Sequence, residues 1–182
     1  MEFEISHLPF RLERGQVVDE QEIDQTIREL AGKLPQLPDG RIDYSHSDTA
    51  LVITCFVKFE DKILLLQRSD KVRTYQGKWN TVAGYIDEAK PLGELALREL
   101  REEVGISAED IADIKIGNPF EFHDPDLNKN WRVQPVLAQL RRSPEIKMDW
   151  EHTDYRWIFP REINRFDIVP KLEESLKRVL SF

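Results

Sequence analysis

The stretch from Gly84 to Ile106 constrains the fold of this chain more than any other part of it. Pro91 suits the first position of a helix, because the N–H that proline lacks has no partner there anyway. Gly105 suits the end, because glycine tolerates the left-handed conformation that terminates helices. The apolar residues between them recur at three- and four-residue spacing: Ala96, Leu97, Leu100 and Val104. This spacing predicts an amphipathic helix with one buried face.

A second stripe of the same helix is acidic. It contains Glu99, Glu102 and Glu103, which lie roughly 100° round the helix from the apolar stripe. Carboxylates at this spacing repel one another, and a solvated acidic face is the simpler interpretation. A metal site is the alternative, because Mg2+ is held by a few carboxylates together with substrate phosphates. The glycine-containing turn directly before the helix favours the metal site.

These residues resemble the signature of the Nudix hydrolases, G-x5-E-x7-R-E-U-x-E-E-x-G-U, in which U is aliphatic. The chain matches every fixed position except one, because Lys90 stands where the signature has its first glutamate. The resemblance implies an α/β fold, an α/β/α sandwich with a mixed central sheet. It also implies a hydrolase that acts on phosphoanhydride bonds and uses Mg2+ or Mn2+ as its cofactor.

The resemblance also implies roles for individual residues. It assigns the metal to the helix and to the turn before it: Glu99, Glu102, Glu103 and the backbone carbonyl of Ala83. Glu99 is the best candidate to help activate water, and Arg98 would orient the carboxylates. Glu151 lies ahead of Trp157, where some relatives place a further acidic ligand. An ordinary loop carboxylate is the alternative for Glu151.

Candidate substrate-binding residues lie around the signature. Arg68 ends a predicted strand, where relatives often place an arginine that contacts phosphate, and Lys78 is a second candidate cation. Trp131 can stack on a base, because every base offers a π face. A solvated charge is the alternative for each cation, and a core or surface-patch position is the alternative for the tryptophan.

Lys90 reverses a charge at the mouth of the expected metal site. Two accounts stay open: the lysine weakens the site, or it binds substrate phosphates. Glu88 or Glu94 can keep Arg98 paired in place of the missing glutamate. Because the helix carboxylates are intact, an active enzyme is favoured over the alternative, a non-catalytic nucleotide-sensing module that kept the fold.

The length of 182 residues suits one domain with an extension. We divide the chain into an extension, 1–48, and a hydrolase domain, 49–182. In the extension, Phe3, Ile5 and Leu8 suggest a short strand, and residues 19–34 form an amphipathic pattern. The apolar stripe of that helix must pack against another surface. Two alternatives remain: the extension packs on the domain as an arm, or it forms a homodimer contact.

The rest of the domain shows strand patterns followed by a closing helix. The predicted strands are 49–58, 62–68, 79–86, 111–122, 131–140 and 154–159, and the helix is 170–180. The single cysteine, Cys55, lies in an apolar run and is expected to be a buried thiol.

Net charge and hydropathy restrict the classes of partner that this chain is expected to bind. The net charge of −8 disfavours a nucleic acid polymer as the ligand, because such binding depends on lysine and arginine neutralising phosphates. No apolar run approaches the length of a membrane span, and the N-terminus does not resemble a signal peptide. We expect a cytoplasmic protein with a small nucleotide-type substrate. The sequence does not choose among ADP-ribose, nucleoside triphosphates, dinucleoside polyphosphates and nucleotide sugars.

Overall fold

The computed structural model describes residues 10–11 and 20–180, with side chains from residue 25 onward. The strand expected near Phe3, Ile5 and Leu8 lies outside the described residues. The strands are β1 (Phe10–Arg11), β2 (Thr49–Phe59), β3 (Lys62–Arg68), β4 (Trp79–Asn80), β5 (Val82–Tyr85), β6 (Ile111–Ile116), β7 (Phe120–Asp124), β8 (Lys129–Leu140) and β9 (His152–Ile158). The helices are α1 (Glu20–Ala31), α2 (Leu92–Val104) and α3 (Leu172–Val179), with short 3-10 turns at Ala108–Asp110 and Pro160–Arg165.

The described strands form one mixed sheet. Its main path runs β1-β6-β8-β2-β3-β4, while β5 pairs with β2, β7 with β8, and β9 with β3. The central β2–β8 pair is parallel, as is β1–β6, and the remaining pairs are antiparallel.

Alternate residues of the central strands face opposite sides of the sheet, as the two-residue period of a strand requires. One face meets α1 and α2 in a core that includes Ile27, Ile53, Leu64, Leu66, Leu95 and Leu100. The other face meets α3 in a core that includes Phe56, Ile63, Leu65, Leu172 and Leu176. The predicted sandwich of helices around a mixed sheet is therefore confirmed.

The region predicted as one strand at 79–86 is two strands that pair with different partners. Residues of β4 pair with β3, whereas β5 pairs with β2. Thr81 lies between them, and its hydroxyl donates to the carbonyl of Cys55 at 2.9 Å. The switch of partner carries the chain across the sheet and delivers Gly84 beside α2. Cys55 is fully buried, as its apolar surroundings predicted.

The predicted strand at 111–122 is also interrupted, at Gly117. A Cβ there would lie 2.7 Å from the carbonyl oxygen of Arg178, so glycine is what lets the chain pass this close to the end of α3. Helix α2 begins one residue later than predicted, because Pro91 has an extended ψ of 136° and caps the helix from outside. Gly105 ends α2 with φ of 71°, as predicted.

The end of the extension packs on the domain within a single chain. Ile27 of α1 is 2% exposed, and Ile42 and Tyr44 are equally well buried. Among the described residues of the α1 stripe, Ile27 is buried in the core of the domain, and Leu30 and Leu34 pack against that core while remaining partly exposed. None of the helices in residues 20–180 combines the length and apolar content that crossing a membrane requires.

Candidate active site

Strand β5 and helix α2 meet at the signature residues. A Cβ built on Gly84 would lie 2.3 Å from the carboxyl carbon of Glu99, closer than any side chain permits. Glycine lets the carboxylate pack directly on the backbone, and a side chain at this position would have to displace the carboxylate. The close approach fixes the position of Glu99 relative to the turn.

Glu103 is buried one helical turn further along α2, with 4% of its surface exposed. Its Oε1 accepts a hydrogen bond from the backbone N–H of Ala83 at 3.1 Å. Its Oε2 lies 3.6 Å from Nε2 of His152, whose Nδ1 is 3.3 Å from Asp149. Because Glu103 is buried, the interpretation of the acidic stripe as a solvated face fails for this residue.

Arg98 connects the carboxylates around the turn. Its Nη2 donates to Oε1 of Glu99 at 2.8 Å and lies 3.4 Å from Asp87. Its Nη1 forms an ion pair with Glu88, and the other oxygen of Glu88 lies 3.0 Å from Nζ of Lys90. Glu88 thus bridges Arg98 and Lys90, and the arginine keeps a full set of acidic partners although the signature glutamate is absent.

The site concentrates negative charge in a poorly solvated place. Burial raises the pKa of Glu103 well above the usual value of a glutamate, and the charges of Glu151 and Glu99 raise it further. Burial also raises the pKa of Glu99 and of Glu151. Carboxylates that destabilise one another in this way gain stability when a cation binds between them.

The donor chemistry fits a hard divalent cation, because every candidate ligand offers oxygen. In the part of the chain that the structure describes, no three Asp, Glu, His or Cys side chains form a ready-made metal cage. Mg2+ characteristically uses one or two protein carboxylates and completes its shell with water and substrate phosphates. The arrangement is therefore compatible with an ion that binds together with substrate.

A cavity of about 340 Å³ opens beside these residues. It brings together most of the residues predicted for the site: Arg68, Ala83, Arg98, Glu99, Glu102, Trp131 and Glu151. Glu103 lies behind this wall, in contact with Ala83. The side chain of Glu102 is exposed at the wall of the cavity.

Two predicted substrate-binding residues do not line the cavity. Lys78 pairs with Asp167 at 2.6 Å. Lys90 is half exposed and pairs with Glu88. Their proposed contacts with substrate remain predictions, and each lysine has an acidic partner within the protein.

Arg68 is a partly buried cation of the cavity wall. Its Nε donates to the carbonyl of Thr74 at 3.0 Å. Burial lowers the pKa of the guanidinium, and the negative charges of Glu151 and Glu103 oppose that shift. An arginine held in this way stays charged and presents its remaining N–H groups near the carboxylates.

Aromatic rings form another part of the wall. Trp131 is 6% exposed and stacks on Tyr85 with ring centroids 6.4 Å apart. Tyr75 lies tilted against it at 6.5 Å. Much of the Trp131 ring is therefore covered by neighbouring rings, and its predicted stacking on a base is untested.

The NUDIX domain family model matches residues 48–179. The chain belongs to the Nudix family. It is 35% identical to the mouse (Mus musculus) asymmetrical bis(5'-nucleosyl)-tetraphosphatase over 98 residues, which are 53% of this chain and 63% of the mouse protein. It is 21% identical to the nucleoside triphosphatase NudI of Escherichia coli over 135 residues, which are 69% of this chain and 93% of that protein. The MutT protein of Methanosarcina mazei Go1 has the same fold, with a TM-score of 0.59 and 23% identity over 72% of this chain and 92% of its own.

Several residues of this Nudix site were not singled out from the sequence. Asp87 and Tyr85 occupy variable positions of the signature, where the motif gives no signal. His152 follows the candidate ligand Glu151 directly, and that adjacency was the available clue. Arg41 comes from the extension, far from the signature in sequence, and only the folded chain brings it to the cavity.

Proposed function

We propose that this Nudix protein is a divalent-metal-dependent pyrophosphohydrolase that cleaves a phosphoanhydride bond in a small nucleotide-type substrate. The observation that carries the proposal is one cavity that combines Glu99, Glu102 and Glu151 with Arg68 and Arg98. Phosphoryl transfer depends mainly on positioning and charge stabilisation, and these are the two properties that such a wall supplies.

In this proposal Mg2+ or Mn2+ would be held by the backbone carbonyl of Ala83 and by four carboxylates, those of Glu99, Glu102, Glu103 and Glu151. A bound divalent ion would neutralise charge on the pyrophosphate and lower the pKa of a water molecule. Arg98 holds the Glu99 carboxylate in place through its hydrogen bonds of 2.8 and 3.1 Å. Glu99 takes the proton from the attacking water, and Arg68 binds a substrate phosphate.

The relatives support a nucleotide as the substrate. The mouse protein is named for a dinucleoside tetraphosphate, and the E. coli protein for nucleoside triphosphates. Both names describe chains of linked phosphates attached to a nucleoside. We extend this class to the present chain. Three further statements remain proposals from the sequence. They are that the protein is cytoplasmic, that it has no nucleic acid polymer or membrane as a partner, and that the extension forms a homodimer contact.

The alternative of a non-catalytic sensing module rests on Lys90. A degenerate site would be expected to leave Arg98 without its acidic partner. Instead Glu88 pairs with both Arg98 and Lys90, and the helix carboxylates are all present. This pairing favours the enzyme.

A substrate panel tests the proposal. ATP, diadenosine tetraphosphate, ADP-ribose and a nucleotide sugar are incubated with the protein in Mg2+, in Mn2+ and with a chelator, and the products are separated. We expect at least one nucleotide to be cleaved at a phosphoanhydride bond, with activity that the chelator abolishes. Binding without cleavage of any of them would favour the sensing module.

A further inference from the structure

One cation of the cavity comes from outside the matched family region. Arg41 lines the cavity together with Asp87, Arg98 and Glu99, whereas the family model begins at residue 48. The segment that carries Arg41 is therefore an addition to the matched domain, and it reaches the site.

A tight hairpin presents Arg41. The N–H of Leu37 donates to the carbonyl of Arg41 at 2.8 Å, and Gln36 and Ile42 form an antiparallel bridge. Gly40 turns the chain with φ of 87°, a conformation that glycine adopts without steric cost. The backbone on which Arg41 stands is thus defined by its own hydrogen bonds.

The residues after Arg41 attach this hairpin to the signature turn. The N–H of Ile42 donates to the carbonyl of Asp87 at 2.9 Å. The hydroxyl of Tyr44 donates to the carbonyl of Ile86 at 2.8 Å, and the Tyr44 ring stacks on Tyr85 at 5.3 Å. Arg41 is consequently fixed relative to the turn that carries Gly84.

The guanidinium of Arg41 keeps donors available for an anion. Its Nε lies 2.8 Å from Asp39, and its Nη1 lies 3.3 Å from Asp87. A guanidinium has five N–H donors, so these two contacts leave others unused. The side chain is 41% exposed, which gives a ligand in the cavity access to them.

Arg41 and Arg68 lie at different ends of the carboxylate cluster. Arg41 interacts with Asp87, whereas Arg68 pairs across the sheet with His152 of β9, the residue next to Glu151. Arg98 is engaged with acidic side chains between them. A ligand meets both outer arginines only if it carries negative charge on both sides of the carboxylates.

We propose that Arg41 binds a phosphate group of the substrate beyond the two that flank the cleaved bond, on the side of that bond opposite to Arg68. The site would then prefer nucleotides with three or more phosphates over a nucleoside diphosphate joined to a neutral group, such as ADP-ribose. This inference rests on the proposed hydrolase function and narrows its substrate class.

Replacing Arg41 by alanine tests the inference with a matched pair of substrates. For Arg41→Ala we expect KM for ATP or diadenosine tetraphosphate to rise about tenfold, the effect of losing one charge-assisted hydrogen bond. KM for ADP-ribose should stay within about twofold of wild type, because that interaction is not made. Asp39→Asn is the control, since it removes the ion pair at Nε and keeps the guanidinium, and it should retain the wild-type KM. An equal rise in KM for all substrates, or no rise in KM for any of them, would overturn the inference.

Binding separates this inference from the proposed function. The affinity of the methylene-bridged ATP analogue for wild type and Arg41→Ala is measured by calorimetry in Mg2+. A wild type that cleaves nothing but binds the analogue about tenfold more tightly than Arg41→Ala would refute the hydrolase and support the role of Arg41. Equal affinity of the two proteins, or no binding to either, would overturn the role of Arg41 whether or not the wild type is active.

Discussion

At the scale of single residues, the burial of Glu103 has a consequence for stability. The folded protein raises the pKa of this carboxyl, mainly through burial, so it holds the proton more tightly than the unfolded chain does. The contribution of Glu103 to the stability of the metal-free protein is then fully present below the usual pKa of a glutamate, and it is lost as the pH rises through the raised pKa. Glu99 and Glu151 shift in the same direction.

Glu103→Gln should therefore stabilise the metal-free protein at neutral pH. Glutamine keeps an oxygen to accept the N–H of Ala83 and removes the buried charge. Melting temperatures of both proteins, measured in chelator from about pH 5 to 8, should diverge as the pH rises, with the variant higher. Mg2+ should raise the melting temperature of the wild type more than that of the variant. Parallel curves, or an equal response to Mg2+, would contradict this account of Glu103.

The signature residues show what sequence predicts at this scale. The approach of Glu99 to Gly84 and the capping of α2 by Gly105 are consequences of local geometry, and the sequence signalled both residues. The partners of Arg98 were harder to predict. Both Glu88 and Glu94 were open, and only the path of the turn before α2 selects Glu88.

At the scale of elements, the turn before α2 is expected to position the catalytic helix. Glu88→Gln would weaken the ion pair with Arg98, which holds Glu99. We expect kcat to fall about tenfold with little change in KM, because Glu88 acts through Arg98 rather than on substrate. Glu94→Gln is the matched control on the first turn of the same helix, and it should keep the wild-type kcat.

Adding Lys90→Glu to Glu88→Gln provides the rescue. The double variant restores a carboxylate near Arg98 and should recover part of the lost kcat. Steady-state kinetics of the single and double variants decide the outcome. If Lys90→Glu instead raises KM several-fold on either background, Lys90 binds substrate, which is one of the two accounts that the sequence left open.

Strand boundaries show where prediction from sequence stops at this scale. The continuous apolar runs of β2 and β3 indicate two strands with both faces buried, and their bounds were predicted within about one residue. The stretch from Trp79 to Ile86 was likewise predicted as one uninterrupted strand from its sequence. It is divided because its two halves pair with different strands, and strand pairing depends on the whole sheet rather than on local pattern.

At the scale of the whole molecule, the extension contributes to the core. Deleting residues 1–48 removes Ile27, Ile42 and Tyr44, all of them buried against the domain. Losing one large buried side chain costs about 2–5 kcal/mol, and the total stability of a domain is only about 5–15 kcal/mol. We predict a much lower melting temperature and a sedimentation mass reduced only by the deleted residues. Unchanged melting would contradict the packing, and a halved particle mass would reveal a dimer contact.

The reach of Arg41 into the cavity is also a property of the whole molecule. The sequence predicted α1 and left its apolar stripe to be covered by the domain or by a second subunit. Among the described residues, Ile27 lies in the core of the domain, and a dimer contact by the rest of the extension stays a prediction. No local pattern links residue 41 to residue 87, because that contact depends on where the hairpin after α1 meets the signature turn.

The most direct test of the account is the turnover of Glu102→Gln in saturating Mg2+, on whichever nucleotide the wild type cleaves. Glu102 lies exposed at the cavity wall, so the substitution leaves the core intact, and unchanged melting of the metal-free protein verifies this. If the carboxylates of α2 hold the catalytic metal, kcat should fall by at least about a hundredfold. Near-normal turnover in Glu102→Gln, with Glu103→Gln equally active, would contradict the assignment of the metal site to this helix.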